Sequence, residues 1–479
     1  MYGILVSYSN TDFRHEIEYV FRTVFSTIGT PFEIIDHHEF DERKDETRCL
    51  LWYGKELDER RQNVIWIKEG DFFGPHYLKK ESLSLNLSCI PYLLEHTEKR
   101  FIHKSEKRIE IHADLIASIF FFLTRYEELL VESRDHRGRF SAQDSFAFQQ
   151  NILEIPSVDL SMNIIKEEIE ALFPNLKTQE KWNGKSFTVV LTHDIDLFSP
   201  PLSYRLKNIL NHAARCDIKN VIAHISSLMK SHKNTLPSGL EYLLQYEKEH
   251  HLPSSYYFIA EKTHALDGNY SIEESLVKRY IETLTQEKKE IGVHPGIETW
   301  KSANMIVHAK KRLESATGKE IAGSRQHYLR LSVSETFRAL EKAGMRYDTT
   351  LGFHDAIGFR AGTCFPFRPF DVEKRREMNL WELPLLLMDV TLLNYMRLRK
   401  EDAAKRIYNL IDRVKQVGGV FVTLWHGLTF EMDNNHETRS LYESMIAYAK
   451  ENGAWFTTAG EVVEVWKKRM SNMGENNEK

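Results

Sequence analysis

The sequence predicts an α/β protein in two parts: a parallel (β/α) sheet or barrel over residues 181–468, preceded by a smaller α/β domain over residues 1–180. Three observations carry this reading. The chain has 479 residues, more than one hydrophobic core ordinarily serves. From residue 187 onward, short apolar runs alternate with helical stretches, the pattern of repeated βα units. Histidines and aspartates fall at the carboxyl-terminal ends of those runs, where a parallel barrel opens onto one face.

The first part opens with the strand-like YGILV at 2–6, and NVIWI at 63–67 is a second strand. Two helical patterns follow, one at 113–130 and one at 158–173. Between them ESRDHRGRF at 132–140 is polar, contains a glycine and reads as a loop that is either solvated or in contact with the second domain or a ligand. KWNGKS at 181–186 marks the boundary. Beyond it, strands are expected at 187–191, 255–259, 291–293, 321–324, 345–349, 380–383, 420–424 and 455–457. Ser271 with Glu274, and Ser332 with Glu335, fit capping boxes at helix starts. Residues 469–479 read as a disordered tail.

Composition narrows the function. Hydrophobic residues make up 42% and charged residues 28%, an ordinary globular balance. A formal net charge of -5 gives no electrostatic case for nucleic acid or for an anionic membrane. The apolar run IASIFFFL is far shorter than a membrane span, and the first residues carry no basic leader or cleavage site, so a cytoplasmic location is expected. Cys49, Cys89, Cys216 and Cys364 match no zinc or redox spacing and read as reduced, mostly core residues.

The chemistry concentrates at strand ends. In TVVLTHDID at 188–196 a buried strand finishes in His193, Asp194 and Asp196. Residues two apart share a side, so Asp194 and Asp196 converge while His193 faces away. Two carboxylates on one face need a cation or a shared proton between them. Later strands end in GVHPG with His294, SRQHY with Arg325 and His327, and TLWHG with Trp425 and His426, while Glu382 lies in WELP.

THDID, GVHPG, SRQHY, WELP and TLWHG, in that order, resemble the metal-dependent polysaccharide deacetylase family, the NodB-homology domain, over residues 185–465. The resemblance implies a distorted (β/α) barrel that removes acetyl groups from N- or O-acetylated sugars. LTRYEEL at 123–129 and DHRGRF at 135–140 look like the extra domain that precedes the barrel in one bacterial subgroup. Position by position, the resemblance makes Asp194 the general base, Asp196 and His294 metal ligands, His426 the proton donor to the leaving group, and Arg325 the residue that orients Asp194. Glu382 and Trp425 are the expected substrate contacts, with a core hydrogen bond before Pro384 as the other role open to Glu382.

One departure affects the metal set. The family's Ser or Thr after the first histidine is Pro295 here, and its second histidine four residues on is Glu298. Either His327 restores the set from the next strand, or Glu298 serves as an oxygen ligand, or the site is degraded. Two imidazoles and a carboxylate suit zinc, cobalt or iron, whereas a second carboxylate favours manganese or iron. The expectation is one divalent ion, zinc first, held by Asp196, His294 and His327. An acetylated sugar or glycan is the expected substrate, and oligomeric state is left open. Two alternatives stand beside the hydrolase: a catalytically weak relative that binds a glycan or a partner protein, and a hydrolase of a non-sugar amide. The basic stretch RPFDVEKRR at 368–376 reads as a solvated loop, with an acidic substrate as its other reading.

Overall fold

The computed structural model describes residues 3–42, 49–84, 101–176, 178–182, 184–198, 236–431 and 436–472, with isolated helical positions between 206 and 218. Cys89, Cys216 and the expected tail beyond residue 472 lie outside them. Cys49 and Cys364 are buried free thiols.

The first part is a six-stranded sheet in the order β2-β1-β3-β4-β6-β5. Its strands are β1 (Ile4–Tyr8), β2 (Phe32–Ile34), β3 (Leu50–Gly54), β4 (Val64–Lys68), β5 (Ile102–Ser105) and β6 (Arg108–Ile111). All neighbours are parallel except β5, which runs antiparallel to β6. β1 and β3 are buried at every position, as continuous apolar runs in a covered parallel sheet should be. Four helices named here belong to this part: α1 (Arg14–Ile28), α2 (Leu115–Leu123), α3 (Tyr126–Leu130) and α4 (Ser157–Leu172). The helix expected over 113–130 is broken, because Arg125 adopts a left-handed φ of 51° between α2 and α3. That turn drives its guanidinium into the interior, where it meets Glu127, Glu128 and the Arg360 carbonyl.

The second part is a curled, nine-stranded parallel sheet in the order β14-β11-β10-β9-β8-β7-β16-β15, with β17 also paired to β7. Its strands are β7 (Phe187–Ile195), β8 (Ser255–Phe258), β9 (Glu290–Val293), β10 (Gly323–Ser324), β11 (Tyr347–Asp348), β14 (Trp381–Glu382), β15 (Leu387–Met388), β16 (Val420–Leu424) and β17 (Ala454–Thr457). The long β7 organises it: β17 flanks its first half at 187–190, β8 its second half at 192–195, and β16 pairs along 188–192. The helices α5 (Ser238–Glu249) and α6 (Gly427–Glu431) pack together beside the carboxyl end of β7. Only half of one expected capping box forms: Glu274 accepts from the Ser271 backbone N–H at 2.8 Å, but the helix begins at Ser275. At Ser332 the reach-back bond is made by Thr336 in place of Glu335: the Ser332 N–H donates to the Thr336 hydroxyl at 3.0 Å.

The basic stretch at 368–376 forms the antiparallel pair β12 (Phe370–Asp371) and β13 (Arg376–Glu377). Arg375 pairs across to Glu16 of α1 in the first part of the chain, and Arg376 pairs with Glu341.

The two parts share buried polar contacts. Asp159 of α4 accepts from the Thr363 hydroxyl, the Cys364 N–H at 2.9 Å and the Cys364 thiol at 3.1 Å. Burial outweighs these bonds and raises the Asp159 pKa from 3.8 to about 6. A carboxyl that holds its proton more tightly when folded favours folding at low pH and loses that advantage as pH rises through 6. The ionised form should therefore cost about 3 kcal/mol near neutrality. Asp159→Asn is expected to match wild type near pH 4 and to gain on it up to pH 6.5, as read by urea midpoints across that range. Stability curves that stay parallel would refute this.

Candidate functional site

Strand alternation places the first groups. Thr192 and Asp194 lie on one side of β7, where Arg325 Nη1 bonds to both, at 2.6 and 3.2 Å. His193 points to the other side, with Nε2 2.6 Å from Glu247 and Nδ1 2.8 Å from the Trp425 carbonyl. Arg325 is fully buried and pinned further by donation to the Thr349 carbonyl and hydroxyl. The guanidinium thus fixes Asp194 from below. Parallel pairing brings the ends of β7, β9, β10, β15 and β16 to one edge of the sheet.

At that edge Asp196, His294 and His327 form a group whose candidate ligand atoms all lie within 4.8 Å of one another. His294 Nε2 is 3.1 Å and His327 Nε2 is 3.8 Å from Asp196 Oδ1. Both imidazoles are oriented from behind: His294 Nδ1 donates to the Arg325 carbonyl at 2.6 Å, and His327 Nδ1 lies 2.7 Å from the Asp267 carboxylate. With Nδ1 carrying the proton, each Nε2 lone pair faces Asp196, the arrangement of metal-binding histidines. Asp196 Oδ1 is buried and has no hydrogen-bond partner, so the donor set fits a divalent cation. Glu298 is exposed, engages Arg330 at 3.2 Å and stands outside the group.

His327 reaches this position through an unusual turn. Tyr328 and Leu329 both have left-handed φ, at 61° and 55°, although neither is glycine or asparagine. Tyr328 stacks on His327 with ring centroids 4.2 Å apart.

His426 completes the site from the end of β16. Its Nδ1 lies 2.7 Å from Asp389 Oδ1, its backbone N–H donates to Asp389 Oδ2 at 2.8 Å, and its Nε2 is 3.6 Å from Asp196. Burial alone would lower its pKa; Asp389, with Asp196 and Asp194, outweighs burial and raises it to about 10. His294 is likewise raised against burial by Asp194 and Asp196. Burial raises the Asp196 carboxyl, but the three histidines overcome it and hold it below the usual range.

These groups open into a cavity of about 190 Å³. Asp194, Asp196, His294 and His426 line it, together with Arg139, Tyr328 and Tyr395. Arg139 comes from the loop at 132–140, and at 3% exposed it takes the second of that loop's two readings, contact with the rest of the protein. It pairs with Asp135 at 2.7 Å and donates to the Tyr328 carbonyl and the Tyr395 hydroxyl. The loop is anchored where Asp355 accepts from Ser141 and the Ala142 N–H.

Glu382 and Trp425, expected at the substrate, do not line this cavity. Glu382 is fully buried in β14, accepts from the Leu351 N–H at 3.0 Å, and has its pKa pushed well up by burial and by Asp348. Trp425 is fully buried because the residue before His426 in an extended chain points the opposite way. Asp267 and Asp389 are absent from the residues expected at the site, and Arg139 enters only within the loop at 132–140, for which ligand contact is one reading. Asp389 carried a usable signal, since it ends the apolar run LLLM at 385–388 as Asp194 ends its own; Asp267, in the loop HALDGN, carried none.

Fold and cleft together define a parallel (β/α) protein with a carboxylate and histidine centre at the carboxyl ends of its strands. Residues 5–174 match a family described as a family of unknown function, DUF7033. No curated protein matches the chain. Among solved structures, a polysaccharide deacetylase candidate from Mycobacterium smegmatis aligns at 16% identity over 60% of this chain and 93% of that one, with a TM-score of 0.42. Puue allantoinase aligns at 12% identity over 62% and 95%, with a TM-score of 0.41. BA3943 from Bacillus anthracis, a CE4 family pseudoenzyme, aligns at 12% identity over 59% and 66%, with a TM-score of 0.29. These likenesses are distant.

Proposed function

We propose that the chain is a divalent-metal-dependent hydrolase that removes an acyl group, acetyl in the simplest case, from an N- or O-acylated sugar or glycan. The observation that carries this is the convergence of Asp196, His294 and His327 on one point, with Asp194 and His426 beside it. Asp196, His294 and His327 would hold the ion, and a carboxylate with two imidazoles suits zinc, with cobalt, iron or manganese as other occupants. When bound, such an ion supplies Lewis acidity, polarising the acyl oxygen and making water acidic near neutral pH. Asp194, oriented by Arg325, takes the proton from the attacking water. His426, kept protonated by Asp389, gives a proton to the departing nitrogen or oxygen. Arg139, Tyr328 and Tyr395 would contact the substrate from the cavity wall.

The test is metal analysis of the purified chain together with turnover of acetylated sugars. One ion per chain, with activity lost on chelation and restored by the ion, is the expected result. Turnover that persists in fully demetallated protein would end the proposal. Asp267→Asn should weaken metal affinity about 10–100-fold, because it removes the carboxylate that orients His327. Competition against a coloured chelator measures it, and an unchanged affinity would remove Asp267 from the site.

A further inference from the structure

We propose that the cleft accepts an acyl chain longer than acetyl, an unbranched chain of about four to six carbons, laid along the aliphatic wall beside Asp196 and His426. The inference rests on the hydrolase reading for the bond that is broken, and on the wall for the identity of the chain. Leu197 follows Asp196 directly, Leu424 and Leu428 stand on either side of His426, and Leu240, Met388 and Val390 continue the surface. Apart from the reaction-centre side chains, the polar side chains lining the cavity are Arg139, Tyr328, Tyr395 and Thr429, with no Asn, Gln or Glu among the described residues there. A ring of sugar hydroxyls needs several such partners; a hydrocarbon chain needs none.

Size points the same way. An apolar cavity of about 150 Å³ takes up benzene, six carbons; the space here, about 190 Å³ shared between the reaction centre and the wall, is of the same order. A single acetyl methyl would leave most of this wall against water.

The wall is also built by a specific close approach. A Cβ on Gly427, the residue after His426, would lie 2.2 Å from Leu240 Cδ2, and a Cβ on Gly239 would lie 2.0 Å from the Gly427 carbonyl oxygen. Two glycines therefore let α5 meet α6 and set Leu240 against the cleft. In the reaction the acyl C–N or C–O bond breaks, the acyl carbon gains the hydroxyl of water, and the leaving nitrogen or oxygen takes its proton from His426. The products are a short fatty acid and a free amine or alcohol.

The experiment has two readouts on the metal-loaded full chain. The first is kcat/KM for glucosamine carrying acetyl, butanoyl or hexanoyl groups; the second is calorimetric affinity for acetate, butanoate and hexanoate. Both should rise about four-fold per methylene from two carbons to six. Leu428→Trp and Val390→Phe add bulk at half-buried positions that line the wall, and each should cut the hexanoyl-to-acetyl ratio at least about ten-fold. Acetyl turnover with a flat chain-length profile keeps the hydrolase reading and overturns this inference. Graded carboxylate affinity that the two variants flatten, with no turnover of any acyl sugar, supports the wall and ends the hydrolase reading. Variants that leave a graded profile untouched overturn the wall.

Discussion

Asp194→Asn is expected to keep the fold and the metal centre and to slow acyl hydrolysis by about 10²–10⁴. Asparagine has the same shape, and its amide oxygen can still accept from Arg325 Nη1, which stands 3.2 Å from Asp194 Oδ1. The proposed ion is held by Asp196, His294 and His327, whose candidate ligand atoms lie within 4.8 Å of one another without Asp194. What the substitution removes is a basic oxygen beside the attacking water. Turnover of an acylated sugar, with metal content determined on the same samples, separates loss of base from loss of ion. A protein that only binds glycan would show no turnover to lose and little change in affinity. Activity that survives Asp194→Asn with metal bound would remove Asp194 as the base, and the proton pathway would have to start elsewhere.

The parts of this site that were legible in the sequence are those fixed by strand periodicity. An apolar run that ends in Asp194 and Asp196 says both that the strand is buried and which residues share its open end, and β7 behaves so along its whole length. The same rule, applied one residue more strictly, would have kept Trp425 out of the cleft, because it neighbours His426 and must point away. Of the two roles open to Glu382 it takes the core hydrogen bond, because it lies within a two-residue strand and not beyond its end. The choice between His327 and Glu298 could not be made from pattern, since it depends on left-handed backbone at Tyr328 and Leu329, residue types that do not announce such a turn. Arg125 is the clearest case of a hidden determinant. LTRYEEL reads as an ordinary helix, and the carbonyl that captures Arg125 lies 235 positions away.

Glu128→Gln should destabilise the protein by about 3–5 kcal/mol, a loss sufficient to unfold many domains of ordinary stability. Glu128 is 5% exposed and joins Arg125 at 2.8 Å to Arg360 at 3.0 and 2.6 Å. With Glu127 on the other side of Arg125, two buried cations balance two buried anions between the first part of the chain and the sheet that bears the site. Glutamine keeps the shape but leaves a buried positive charge without its counterion, which costs more than the pair itself contributes. Replacing both Glu128 and Arg360 by Met removes the charges together and should recover much of the loss, so a double-mutant cycle distinguishes a charge effect from a packing defect. The function should follow the stability. Arg134 Nη2 holds the Glu128 carbonyl at 2.7 Å, and from there the chain runs directly to Arg139, which lines the cleft. A urea midpoint for Glu128→Gln equivalent to less than about 1 kcal/mol of loss would show that this cluster does not bind the two parts together, because an uncompensated buried charge cannot be that cheap.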